Sequence, residues 1–179
     1  MKYIVLILAL FFSACSTKQS SYILPSNSLV SIKTIKRQIG VKKVELPEYL
    51  DSDKILIKEG NRLSSIDANF ATDASTLLTH RAIVDLKRAL NNPNVFLYPW
   101  DVSKKEGFIV EIKIDDYIYS DGVVNLSGTY FIKNANNSVV SSKNFMLSGS
   151  TNKDANSIVV ALGELFDNLM LEISQKIAR

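Results

Sequence analysis

The chain has 179 residues, of which 46% are hydrophobic and 22% charged, with a formal net charge of +3. That length suits one domain with a real core, and so small a charge gives no electrostatic case for a nucleic-acid binder. One cysteine, Cys15, excludes an internal disulfide, so the folded part stands on packing alone.

The chain opens on Lys2, then an apolar run from Tyr3 to Phe12, then the small pair Ser13-Ala14. A charged start, an apolar centre and a small-residue site make a secretory signal. The run is ten residues, whereas a spanning helix needs roughly 20. The segment Phe12-Ser13-Ala14-Cys15 resembles a bacterial lipoprotein signal, although Phe12 stands where Leu is usual. The resemblance implies cleavage after Ala14 and lipidation of Cys15 by palmitate-type chains. The alternative is an ordinary secretory signal followed by an unmodified cysteine. The domain division is then a signal peptide at 1–14, a lipidated N-terminus and tether at 15–28, and one folded domain at 29–179. The mature chain is 165 residues (179 minus 14), with its formal charge reduced to +2 by the loss of Lys2. Ser16, where Asp commonly marks inner-membrane retention, implies anchorage in the outer membrane facing the periplasm. Ser16 to Ser21 is small and polar, and six extended residues reach roughly 20 Å.

Leu29 to Leu46 reads as strand-like, with a change of phase that suggests a break near Gly40. Its cations include Lys36, Arg37, Lys42 and Lys43, with no acidic residue between Lys33 and Lys43. Two readings fit: contact with an anionic lipid or glycan surface, or an edge strand defended by lysine. Pro47 to Asp51 is a turn. Lys54–Glu59 and Leu63–Ile66 form a hairpin about Gly60-Asn61. Thr72 or Asp73 caps a helix that runs to Leu90. Val95–Tyr98 is a short buried strand closed by Pro99. Phe108–Ile118 alternates cleanly, and Asp121-Gly122 turns it into a return strand through Ile132. Val139–Ser148 is a third strand. Asp154 or Asn156 caps the last helix, whose stripe is Ile158, Leu162, Leu165, Leu169, Ile173 and Ile177. The expected fold is α+β: a two-layer sandwich, with a mostly antiparallel sheet and two helices packed on one face.

No metal, cofactor or catalytic set is read from the sequence. His80 is the sole histidine. Asp115 and Asp116, adjacent on a strand, are expected on opposite faces. No phosphate loop, G-x-S-x-G or H-E-x-x-H occurs. The expectation is a protein that is not an enzyme. Tyr98, Trp100, Tyr117 and Tyr119 are the candidate partner interface, with Tyr117 and Tyr119 placed on the polar sheet face. Edge packing in the core is the other reading of these aromatics.

Tyr22-Ile23-Leu24-Pro25, Val44-Glu45-Leu46-Pro47-Glu48-Tyr49-Leu50-Asp51, Lys54-Ile55-Leu56-Ile57, Asn61-Arg62-Leu63 and Val95-Phe96-Leu97-Tyr98-Pro99-Trp100 follow one another in a recognisable order. Together they resemble the ABC-type transport auxiliary lipoproteins, the family of the paraquat-inducible C lipoprotein. Members often carry Trp and Pro before the first helix, where this chain has Asn69-Phe70-Ala71-Thr72. The resemblance implies a membrane-anchored partner of an envelope lipid transporter built from an MCE-domain protein, an ABC permease and an ATPase. A homo-oligomer is a further candidate assembly. The alternative function is an outer-membrane lipoprotein that binds lipid or lipopolysaccharide itself, through Lys36, Arg37, Lys42 and Lys43.

Overall fold

The sheet is built around β6, Gly107–Ser120. The computed structural model describes residues 20–25, 30–99 and 107–179. One edge of β6 pairs antiparallel along its length with β7, Val123–Asn134, and β8, Val139–Ser150, pairs antiparallel with β7. The other edge is divided between two shorter strands. Gly107 to Val110 pair parallel with β2, Gln38–Val41, and Tyr119 and Ser120 pair parallel with β3, Lys54–Glu59. Beyond β2 lies β5, Val95–Leu97, in parallel. Beyond β3 lies β4, Arg62–Phe70, antiparallel, and then β1, Ser21–Tyr22, parallel to β4.

The α+β class holds, but the eight-stranded sheet is mixed rather than mostly antiparallel. Antiparallel neighbours are joined by short turns that leave Gly and Asn signals in the sequence. The four parallel pairings join strands far apart in the chain, and no local residue announces them. The basic stretch is also corrected. Only Gln38–Val41 is strand, and it is interior, between β5 and β6, so it is not an edge. Residues 30–37 run instead against the end of the first helix, where Ile32 N–H donates to Ala89 O at 2.7 Å and Ile35 N–H to Leu90 O at 3.0 Å.

The helices are α1, Ala74–Ala89, and α2, Ala155–Ile177. Asp73 caps α1 by accepting from Thr76 N–H at 2.9 Å, and Asp154 caps α2 from Ser157 N–H at 2.9 Å. All six residues of the α2 stripe are buried. α1 packs on β2 and β5, α2 on β7 and β8, and the helices touch each other, so they form one layer on one face. Among the described residues no helix is long and apolar enough to cross a membrane.

A β-bulge at Asp115 overturns one placement. The β6–β7 register shifts between Ile114 and Asp116, and one extra residue inverts the inward parity. Val110, Ile112 and Ile114 face inward before the bulge, and Tyr117 and Tyr119 after it, opposite Leu126 and Val124. Tyr117 and Tyr119 are therefore core residues, 5% and 7% exposed, and not aromatics of the polar face. Tyr117 lies beside Phe70, with ring centroids 6.1 Å apart. Gly128 faces the bulge because only hydrogen fits there: a Cβ would stand 2.0 Å from Lys113 O.

Candidate functional site

Two segments far apart in sequence are pinned to the C-terminal end of β2. Val44 N–H donates to Thr79 Oγ1 at 2.8 Å, which ties the first segment to α1. Pro47 O accepts from Leu50 N–H at 2.9 Å to close a turn that buries Leu50. Asp51 Oδ1 accepts from Ser75 N–H at 3.0 Å and satisfies another free donor of the α1 start. The second segment follows β5: Tyr98 N–H donates to Val41 O at 2.7 Å, and the Tyr98–Pro99 bond is cis. Lys42, Lys43, Leu46, Asp51, Tyr98 and Pro99 line one open cavity of about 570 Å³. Leu97, just before Tyr98, is 53% exposed, and Tyr49, in the turn, is 54% exposed. Both are large apolar groups left in water beside polar neighbours, the composition of a partner surface.

The charges at this end are already engaged. Lys42 Nζ lies 2.9 Å from Glu111 Oε2, and Lys43 Nζ 3.9 Å from Asp73 Oδ2. Glu111 also accepts from Lys133 at 2.7 Å. Burial pushes the Glu111 carboxyl up, but the hydrogen bonds from Lys133 and Lys42 outweigh it and hold the group at about 2. Hydrogen bonds from Thr76 and Ser75 hold Asp73 well below the usual carboxylate range. Lys113 joins the same outer-face lattice through Glu45 at 3.0 Å.

The four cations singled out in the sequence thus divide. Lys42 and Lys43 sit at the groove with carboxylate partners. Lys36 and Arg37 sit beyond the other end of β2, in a separate cleft, with no carboxylate partner among the described residues. Tyr98 is at the groove, and Tyr117 and Tyr119 are in the core. Ala14, Cys15 and Trp100 lie outside the described residues. His80 is exposed on α1, and among the described residues no cluster of His, Cys, Asp and Glu is arranged to hold a metal.

Sequence reading missed the buried centre between the helices. Arg81 Nε donates to Asp85 Oδ2 at 2.6 Å, and Nη2 donates to Asp167 on α2. Nη1 donates to the backbone oxygens of Leu24 at 3.0 Å and Pro25 at 2.6 Å. Burial pushes the Asp85 carboxyl up to about 6, with Arg81 pulling the other way. The available signal was an Arg and an Asp four residues apart on the inward side of α1.

A model of the family described as ABC-type transport auxiliary lipoprotein component matches residues 22–174. A crystal structure of an uncharacterized protein superposes with a TM-score of 0.72 at 17% identity, covering 89% of this chain and 98% of that one. A crystal structure of a Xanthomonas campestris protein gives 0.68 at 14% identity, covering 89% and 92%. A PelC dodecamer from Paraburkholderia phytofirmans gives 0.52 at 13% identity, covering 83% and 94%. These likenesses show the fold. No curated protein sequence matches the chain.

Proposed function

Because the chain belongs to the ABC-type transport auxiliary lipoprotein family, we propose that it is the non-enzymatic, membrane-anchored docking subunit of an MCE-type ABC lipid transporter. Cleavage follows Ala14, and Cys15 carries the acyl chains that hold the protein on the outer membrane, facing the periplasm. Each buried methylene contributes about 0.8 kcal/mol, so two or three chains make the anchorage essentially permanent. Ser20 O accepts from Asn69 N–H at 3.1 Å, and Ser21 and Tyr22 belong to the sheet, so four residues, 16–19, separate Cys15 from the fold. Four residues, fully extended, reach about 14 Å, so the domain stays close to its membrane and works through what docks on it.

The observation that carries this reading is that Leu46 and Asp51, of one segment of the family likeness, line one groove with Tyr98 and Pro99 of another. Lys42 is paired with Glu111 at 2.9 Å, Lys43 stands 3.9 Å from Asp73, and exposed Tyr49 and Leu97 lie in or next to these segments in sequence. Such a surface suits a protein partner, because a non-obligate interface is apolar at its centre and depleted in free charge there. Gentle detergent extraction of the full, tagged chain tests the proposal. Recovery of an MCE-domain protein with an ABC permease and ATPase is the expected result. A preparation that holds none of the three, at yields where the lipoprotein itself is intact, contradicts it.

A further inference from the structure

Lys36 and Arg37 were separated from the groove by the fold, and their surroundings differ from it in kind. The cleft they line encloses about 670 Å³, within the range of small-ligand sites. Its lining carries four cationic side chains, Lys33, Lys36, Arg37 and Arg179, and no acidic one. Beneath them are Ile35, Phe108 and Ile177. Arg37 rests over the Phe108 ring, 5.7 Å from its centroid, so its guanidinium is held at the cleft at reduced rotamer cost. Lys33 is fixed by donating to Ala178 O at 2.6 Å.

We propose that this cleft binds a single anionic amphiphile, a phosphate-bearing lipid. Lys36 and Arg37 take the phosphate charge, and Phe108 and Ile177 take the first methylenes. The unneutralised cations select an anion, and the apolar floor selects an amphiphile over free phosphate.

The site's position argues for one delivered lipid rather than for the anchoring bilayer. Gly163 of α2 lies against Pro25, where a Cβ would stand 3.0 Å from the proline oxygen. The cleft residue Ala178 is fifteen residues further along that helix, about 22 Å at 1.5 Å per residue. The cleft is thus well removed from the point where the N-terminal segment enters, and this placement rests on the anchoring at Cys15 proposed above. Binding itself is read on the isolated chain, so its failure would leave transporter docking untouched.

The test is native mass spectrometry of the full chain in nonionic detergent, with added dihexanoyl phosphatidylglycerol, dihexanoyl phosphatidylcholine or inorganic phosphate. The phosphatidylglycerol adduct is expected to bind about tenfold more tightly than either other probe. Lys36→Gln with Arg37→Gln is expected to weaken it about tenfold, whereas Lys42→Gln with Lys43→Gln leaves it unchanged. Lys36 and Arg37 are both exposed, so the altered chain keeps its fold, which its melting temperature verifies. Phosphatidylglycerol binding that is absent, that survives the Lys36 and Arg37 changes, or that phosphatidylcholine or phosphate equals would overturn the proposal.

Discussion

Arg81 Nη1 donates to the backbone oxygen of Pro25 at 2.6 Å, from a helix to the segment that leads back to the N-terminus. The same guanidinium holds Asp85 and Asp167. One buried cation therefore joins α1, α2 and the entry of the chain into the fold. Removing it leaves two buried carboxylates uncompensated, which costs about 3–5 kcal/mol. Arg81→Met should lower the melting temperature accordingly. It should also speed hydrogen exchange at the amides of Asn69 and Ala71, which donate to Ser20 and Tyr22. Unchanged exchange at those amides would mean that the entry segment is held by β1 pairing alone.

Asp85 gives this centre a pH dependence. Its carboxyl sits at about 6 in the folded chain against an ordinary 3.8, so the folded state holds that proton more tightly than the unfolded state. The stability it contributes is fully present below about pH 4 and is lost as pH rises to about 6, on the order of 3 kcal/mol. Asp85→Asn should remove that decline while leaving an oxygen to accept from Arg81. Urea unfolding of both chains at pH 4.5, 5.5 and 7 checks it. Parallel curves for the two would refute this role. Glu111, held at about 2, works in the opposite sense: its contribution is present above about pH 4.5 and is lost as pH falls through about 2.

Gly128→Ala places a methyl 2.0 Å from Lys113 O. Backbone on both sides must move, so the loss should be on the order of 3 kcal/mol, at the upper end of overpacking costs. Chemical unfolding measures it. A loss below about 1 kcal/mol, a typical Gly-to-Ala gain or cost in open backbone, would mean that the bulge relaxes freely.

Tyr117 is buried with a hydroxyl that has no partner among the described residues. Tyr117→Phe removes that unpaired group and should leave stability unchanged or raise it by about 1 kcal/mol. Partner recovery should not change. A fall in recovery at full stability would restore Tyr117 to the interface.

How much of this was legible in sequence follows from the range of each interaction. Hairpins, caps and stripes are local, and Asp73, Asp154, the Asp121-Gly122 turn and the α2 stripe are all found where the residues place them. The parallel pairing of β2 and β3 with β6 depends on chain closure over tens of residues and leaves no pattern. The bulge at Asp115 is subtler. Strict alternation through Phe108 to Ile114 sets a parity, and the sequence continues with Ile118 in phase, so Tyr117 and Tyr119 read as outward. Ile118 is in fact buried from the other face, at 3% exposure. At the candidate site, Tyr98, Lys42 and Lys43 were identifiable by type. That the last two lie 2.9 Å and 3.9 Å from a carboxylate depends on Glu111 and Asp73, which are distant in sequence and near only in the fold.

The groove of Val44–Asp51 and Tyr98–Pro99 is the proposed meeting point with the transporter. The most direct measurement is photo-crosslinking in intact cells from a benzophenone side chain placed at Tyr49, with a second probe at Met146 on β8. Both positions are exposed, at 54% and 87%, so neither substitution disturbs the core. The expected result is an adduct from Tyr49 to a subunit of an ABC lipid transporter, identified by mass spectrometry, that Leu97→Asp abolishes. A transporter adduct from Met146 with none from Tyr49, or no transporter adduct from either, would contradict it.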